Sequence, residues 1–312
     1  MRLSIVTTLY NSAPHVREFY ERTRRAAARL TEDFEIVFVN DGSPDDAFAQ
    51  VIELQRGDAR VVGVDLSRNF GHYKAIMTGL GFCRGERVFL IDSDLEEDPE
   101  LLAEFSAQMD ARGCDVVYGV QAGRKGGWFE RASGALFWRL FNWLSPVRVP
   151  ANLITARLMT RRYVRNLVRF RDQEVFLAGL WQITGFEQVP LSVTKGSRGH
   201  SNYTLRRKFA VLVNSITSFS NLPLVLIFYV GLAISASAFG YIVYLIARWS
   251  AQEQPVLGWT SVIASVWLLG GLIISFLGVI GIYLSKVFIE SKRRPYTVIR
   301  KVWRRGADER DG

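Results

Sequence analysis

The sequence predicts an α/β domain with a doubly wound, mostly parallel sheet, followed by an amphipathic helix and a two-helix transmembrane hairpin. Three observations carry that expectation. Short β-branched and aromatic runs alternate with segments of helical spacing over residues 3–120, a pattern that calls for crossover connections and therefore parallel strands. Two later stretches, 222–247 and 256–284, are almost free of charge, and each exceeds the roughly 20 residues needed to cross a bilayer core. Basic residues crowd the outer flanks of that pair, while the connection between its halves holds only Arg248 and Glu253.

Leu3 to Leu9 reads as the first strand. Val16, Phe19, Tyr20, Ala27 and Leu30 then recur at helical spacing, and Glu35 to Asn40 forms a second strand, which completes a βαβ opening. The alternation continues with a strand over Val61 to Asp65, a helix over Lys74 to Cys83, a strand over Arg87 to Asp92, a helix over Pro99 to Arg112 and a strand over Val116 to Val120. In such sheets ligands bind at the C-terminal ends of the strands, so Asn40-Asp41-Gly42-Ser43 and Asp92-Ser93-Asp94 should converge on one crevice.

This organisation divides the chain into a cytoplasmic domain (1–205), an amphipathic interfacial helix (206–221), the hairpin (222–289) and a basic cytoplasmic tail (290–312). The interfacial helix begins with Arg206, Arg207 and Lys208 and carries Phe209, Leu212 and Ile216 at helical spacing, which suits either the headgroup plane or the surface of the domain. Lys286, Lys292, Arg293, Arg294, Arg300, Lys301, Arg304 and Arg305 follow the second span. By the positive-inside rule both termini are cytoplasmic, and the connection, with Trp249 and Trp259 at its interface, lies outside. The net charge of +9 over 312 residues is thereby accounted for by orientation against anionic lipid, so nucleic-acid binding does not follow from it. The N-terminus opens directly as a strand and carries no signal-peptide pattern; Cys83 and Cys114, the only cysteines, are expected as free buried thiols.

The chemistry starts at Asp92-Ser93-Asp94, which follows the apolar run Val88-Phe89-Leu90-Ile91 and so sets two carboxylates at the mouth of a buried strand. Hard cations such as Mg²⁺ and Mn²⁺ take one or two carboxylate oxygens together with substrate phosphate oxygens, and this pair can supply them. Taken alone, the tripeptide is equally good turn chemistry. Its neighbours decide. Thr8-Leu9-Tyr10-Asn11, Val39-Asn40-Asp41-Gly42-Ser43, Arg68-Asn69-Phe70-Gly71, Asp92-Ser93-Asp94-Leu95, Asp98-Pro99-Glu100 and Val116-Val117-Tyr118-Gly119 resemble, in order and spacing, the inverting family 2 glycosyltransferases of GT-A fold. Within them the likeness is to polyprenyl-phosphate glycosyltransferases, bacterial relatives of dolichol-phosphate mannose synthase with a two-helix C-terminal anchor.

The resemblance implies a nucleotide diphosphosugar donor, with a UDP-sugar expected, a polyprenyl phosphate acceptor and a Mg²⁺ or Mn²⁺ ion. It implies that Asp41 receives the nucleobase while Thr8 and Tyr10 line the base and ribose pocket. Arg68 and Lys74 would face the nucleotide or its diphosphate, with Gly71 allowing close backbone approach. Asp92 would support the ribose and metal, Asp94 would hold the metal bridging the two phosphates, and Glu96, where the family more often shows Gln, would be a further ligand or simply add negative charge. Arg131, Ser133 and Arg157 match the acceptor-loop and strand motifs, and Ser201 and Tyr203 the later acceptor segment, where Arg198 lies near rather than on the position of the family's usual Arg. His72 reads as a local loop residue with no chemistry, and Glu97, Asp98 and Glu100 as the acidic start of a helix. An isoprenoid phosphate brings its own anionic nucleophile, so no catalytic base is required.

The sequence departs from the family at Thr8 and Ser12, where Pro and Glu are usual, at Thr155, where many bacterial members have Asp, and at Val175 and Ala178, which replace two Arg common in bacterial glucosyl members. Two other readings stay open at this point: a transferase acting on a saccharide or lipid-linked saccharide, with Asp172 or Glu174 as base, and a noncatalytic membrane scaffold. The sequence also leaves open a homo-oligomer.

Overall fold

The computed structural model describes residues 1–121, 150, 152–193, 222–250 and 258–305. Strand β1 (Leu3–Leu9) is buried along its whole length, as are β2 (Phe34–Asn40) and β3 (Val61–Leu66), as mainly apolar central strands covered on both faces should be. Helices α1 (Val16–Ala28), α2 (Ala47–Gly57) and α3 (His72–Phe82) make the crossovers that end at β4 (Arg87–Leu90). Then come α4 (Leu101–Arg112), β5 (Val116–Gln121), β6 (Leu153–Thr160), the short helices α5 (Arg161–Leu167) and α6 (Leu177–Ile183), and β7 (Gln188–Val193). The long helices α7 (Leu222–Ser250) and α8 (Trp259–Ser291) precede a last strand, β8 (Ile299–Trp303).

The strands form one mixed sheet in the order β7-β5-β6-β4-β1-β2-β3-β8. The run β4-β1-β2-β3 is parallel throughout, and β5 pairs parallel with β7; β6 runs antiparallel to β4 and β5, and β8 runs antiparallel to β3. The C-terminal ends of β1, β2, β3 and β4 therefore leave the sheet on one edge. Alternation along the strands assigns the faces. Ile5, Ile36 and Phe38 join the main apolar core, where Phe38 meets Phe19 of α1 edge-on, and α1 packs against α2 and α4. Val6 and Val39, pointing the other way, lie against Gly79 of α3. Each fully buried aromatic of this core contributes on the order of 2 kcal/mol by leaving water. Cys83 and Cys114 are free and buried, and burial raises both thiols.

The chain divides into two compact units. One is made of Met1–Trp138, Val147–Tyr203 and Arg294–Gly312; the other of Arg139–Pro146 and Thr204–Arg293. In the second unit α7 and α8 touch each other, and two stretches are long and apolar enough to cross a membrane: Leu222–Tyr241, of mean hydropathy 2.1, and Ser265–Ser291, of 2.2. Neither is buried within the protein, and Phe228, Tyr229, Trp267 and Ile274 stand exposed. Apolar helices left uncovered in this way, unlike a soluble core helix, require an apolar surrounding, which is the signature of membrane association.

The first unit reclaims the chain after the second long helix. Within the stretch expected as a basic tail, Ile299–Trp303 extend the sheet as β8, and Arg300 and Arg304, which the sequence reading assigns to membrane orientation, bind Asp65 and Glu35 of the sheet. The interfacial helix expected at 206–221 lies outside the described residues.

Candidate active site

At the end of β1, the Thr8 hydroxyl lies 3.0 Å from Nδ1 of His72, the first residue of α3, and Nε2 of the same ring lies 3.5 Å from Oδ1 of Asp92. The imidazole thus bridges the end of β1 to the carboxylate that follows β4. The sequence reading assigns His72 no chemistry; in the structure its side chain joins Thr8 and Asp92. No local pattern could have shown this, because its partners lie 64 and 20 residues away in the chain. Tyr10 is exposed beside this point.

Asp41, at the end of β2, is buried, and its two carboxylate oxygens accept the backbone N–H groups of Phe70 (2.7 Å) and Gly71 (3.1 Å). Burial pushes its pKa up, against the pull of those two bonds. Its primary bond set therefore shapes the β3–α3 loop, while two oxygens with about four lone-pair sites keep acceptor capacity for a ligand N–H. The adjoining Gly42 explains why this turn has glycine: it has a φ of 63°, and a Cβ there would come within 2.5 Å of the Asn69 backbone nitrogen. The loops after β2 and β3 are packed backbone to backbone.

Arg68 is exposed with its guanidinium 4.3 Å from the Phe70 ring centroid, and Lys74 Nζ lies 5.7 Å from the ring of Tyr296. Gly71 is required for its φ of 100°; nothing lies within 4 Å of where its Cβ would stand, so the expected close approach has no protein partner.

In the Asp92-Ser93-Asp94 segment the middle residue points inward, its hydroxyl donating to the Thr8 carbonyl at 2.9 Å and meeting Ser12 Oγ at 3.2 Å. Anchoring Ser93 leaves the flanking aspartates outside the core, Asp92 partly exposed and Asp94 exposed. One oxygen of Asp94 accepts the Glu96 N–H at 2.9 Å, closing an Asx turn, and Leu95 takes a left-handed φ of 59°. Turn chemistry and a metal-binding carboxylate pair are thus compatible in the same tripeptide. Among the described residues, no group of three or more His, Cys, Asp or Glu side chains gathers to hold a metal, so Asp92, Asp94 and Glu96 do not make a closed protein cage. An open carboxylate pair does fit a hard cation whose remaining ligands are substrate phosphate and water.

Glu97 is buried, and its oxygens accept the N–H groups of Thr155 (3.1 Å) and Ala156 (2.9 Å). The reading that placed it in the first turn of a helix is corrected: α4 begins at Leu101, and Glu97 ties the aspartate loop to β6. Asp98 and Glu100 bind Arg22 of α1.

Two residues further along β6, Arg157 sits opposite Leu90 of β4 and Tyr118 of β5 and is 1% exposed. Its Nε donates to the Thr155 carbonyl at 3.2 Å, an Nη donates to the Ile154 carbonyl at 3.1 Å, and the guanidinium stacks on Trp181. Burial pulls its pKa down to about 9, opposed by Tyr163, Glu97, Tyr118 and Asp92, so it remains a cation at neutral pH. Among the described residues it has no ion pair, an expensive state for a buried charge and one that an anionic ligand would relieve.

Arg131, Ser133, Arg198, Ser201 and Tyr203 lie outside the described residues. Asp172 and Glu174 flank Gln173, whose Nε2 donates to the Arg294 carbonyl at 2.9 Å, and the Asp172 charge adds to burial in raising the Tyr296 phenol.

The family description "Glycosyl transferase family 2" matches residues 4–170, more than half of the chain, a range that includes Thr8, Asp41, Asp92 and Arg157. The chain belongs to that family. Over 306 residues this glycosyl transferase is 52% identical to a Mycobacterium tuberculosis (strain CDC 1551 / Oshkosh) protein named among the glycosyltransferases, covering 97% of this chain and 89% of that one. It is 30% identical over 304 residues to the bactoprenol glucosyl transferase of Shigella phage SfV, covering 96% of this chain and 98% of the relative. Among solved structures, a Pyrobaculum calidifontis mannosyltransferase in complex with GDP-Man and Mn²⁺ superposes over 94% of this chain and 87% of its own, with a TM-score of 0.49 and 15% identity. The mixed sheet and the two apolar C-terminal helices are those expected for a GT-A transferase of this family with a membrane anchor.

Proposed function

We propose that this glycosyl transferase moves one sugar, with inversion, from a nucleotide diphosphosugar to a polyprenyl phosphate at the cytoplasmic face of the membrane. The observation that carries the reading is the pairing of opposite charges around the end of β4: the Asp92 and Asp94 carboxylates, and the buried Arg157 cation opposite Leu90. A reaction between two phosphate-bearing substrates needs both, because each anion must be held close to the other. Full-length similarity to a bactoprenol glucosyl transferase supports the lipid acceptor.

Asp92 and Asp94 would hold a Mg²⁺ or Mn²⁺ ion, which when bound offsets charge on the leaving nucleoside diphosphate. Asp41 and Tyr10 take the base and ribose, and Arg68 and Lys74 supply cations at the β3–α3 loop. Arg157 receives acceptor phosphate together with Arg131, Ser133, Arg198, Ser201 and Tyr203. The acceptor oxygen attacks the anomeric carbon as the bond to the donor phosphate breaks, and the nucleoside diphosphate departs with the electron pair. The nucleophile is already anionic, so positioning and charge compensation supply the catalysis and no side chain need act as base. Both termini lie on the cytoplasmic side.

The test is to incubate the purified full chain and Mn²⁺ with UDP- and GDP-sugars and undecaprenyl phosphate, and to seek glycosylated lipid by mass spectrometry. A UDP-sugar is expected to give product. Asp94→Asn should abolish transfer and weaken Mn²⁺ binding measured by electron paramagnetic resonance, with unchanged circular dichroism. Unchanged turnover in that variant would defeat the metal assignment. Product formed only on a saccharide acceptor would move the nucleophile to a hydroxyl and bring in Asp172 or Glu174 as base.

A further inference from the structure

We infer that Arg300, on the strand that follows the second long helix, is a positioning residue for the donor site, holding three of its loops through one hydrogen-bonded chain. This rests on the donor pocket lying at the ends of β1, β2 and β3.

The chain can be followed atom by atom. Arg300 Nη1 donates to Asp65 Oδ2 at 3.1 Å, and its Nη2 donates to the Ser67 carbonyl at 2.8 Å. The other Asp65 oxygen accepts Asn40 Nδ2 at 2.7 Å. Asn40 Oδ1 in turn accepts the Ser43 N–H at 3.0 Å, and Ser43 Oγ accepts the Asn11 N–H at 2.8 Å. One guanidinium thus stands at the head of a network reaching the loop after β3 through Ser67, the Asn40-Asp41-Gly42-Ser43 turn after β2, and Asn11 beside Tyr10 after β1. Asn11 takes a left-handed φ of 54°, so its conformation needs such support. Asp65 is buried, whereas the Arg300 side chain is 62% exposed, so the geometry of the network rather than raw ion-pair strength gives Arg300 its effect.

Neighbouring contacts point the same way. The Ser67 N–H donates to the Val298 carbonyl at 2.9 Å, and the hydroxyls of Thr78 and Thr297 meet at 2.8 Å. The pairing of β3 with β8 shifts register between Asp65 and Leu66, where Arg300 reaches in. A fork with donors to both a carboxylate and a backbone carbonyl is arginine chemistry that lysine's single ammonium reproduces only in part. Sequence reading misses it because Arg300 sits in a basic stretch that membrane orientation already explains.

The experiment compares the full chain with Arg300→Ala, Arg300→Lys and Lys301→Ala. Lys301 shares the strand, and its backbone pairing survives substitution. Amide hydrogen exchange is measured over residues 40–45 and 67–71, and UDP and GDP affinities by calorimetry. Arg300→Ala should lose protection in both loops and bind nucleotide about ten-fold more weakly, as loss of one charge-assisted bond predicts; Arg300→Lys should fall between, and Lys301→Ala should match the parent. A purely structural role for β8 would instead raise exchange along β3 and β8 equally in both alanine variants and would overturn the inference, as would unchanged loop protection in Arg300→Ala. If the parent binds neither nucleotide, the donor assignment fails, and loop protection alone still decides whether Arg300 organises the edge.

Discussion

Replacing Arg304 with Ala should cost the first unit several kcal/mol, and the reason can be worked from four contacts. Arg304 Nη2 donates to Glu35 Oε2 and to the Phe82 carbonyl, each at 3.0 Å. Glu35 is 2% exposed in the middle of the sheet; its other oxygen is satisfied by Ser4 Oγ and the Arg84 N–H, both at 2.7 Å. Removing the arginine leaves a buried carboxylate with its charge uncompensated. At 3 Å and an effective dielectric constant of about 20, the lost attraction is roughly 5 kcal/mol. Buried pairs broken from one side cost about 3–5 kcal/mol. For a domain of this size that lowers the melting temperature by on the order of 10 °C. The assay is thermal unfolding of the full chain in detergent, read by near-ultraviolet circular dichroism. Adding Glu35→Gln to Arg304→Ala should restore about half of the loss, because a neutral amide needs no cation. A shift below about 2 °C for Arg304→Ala, or strict additivity in the double variant, would refute the claim that the segment after the second long helix is part of the sheet's core.

Other outcomes follow from the same structure. Arg157→Met, which keeps the volume and removes the cation, should leave the melting temperature equal to or above that of the parent, since a buried charge with no ion pair among the described residues is costly, while abolishing transfer to polyprenyl phosphate; retained transfer in a lipid-product assay would remove Arg157 from the acceptor site. On the acid side, Asp58 is held low by Arg60 and Tyr20 against burial, Glu100 by Arg22 and Asp115 by Arg162. Each folded carboxyl therefore binds fewer protons than the unfolded chain, so stability is complete above the ordinary values of 3.8 and 4.5 and is lost as pH falls through the lower folded values. Melting temperature measured from pH 6 to pH 3 should accordingly fall only below about pH 4.5, and a fall beginning near pH 6 would contradict it.

The local patterns of the chain settle a good deal by themselves. Continuous apolar runs and helical spacing are short-range properties, so the alternation of β1 to β5 with α1, α3 and α4, the two long apolar helices and the location of Asp41 and Asp92-Ser93-Asp94 at strand ends are legible without coordinates, whereas α2 is not among the expected elements. What the tertiary structure decided is which side chains those ends bring into contact. His72 joins Thr8 to Asp92, Glu97 leaves its expected helix to bind β6, and Arg300 and Arg304 bind Asp65 and Glu35 across 235 and 269 residues of chain. Charge composition is blind to that last pair of contacts, because a lysine- and arginine-rich flank satisfies membrane orientation whatever each guanidinium touches. Only closure of the sheet by β8 chooses between a headgroup and a buried carboxylate as the partner, and desolvation makes that choice worth several kcal/mol.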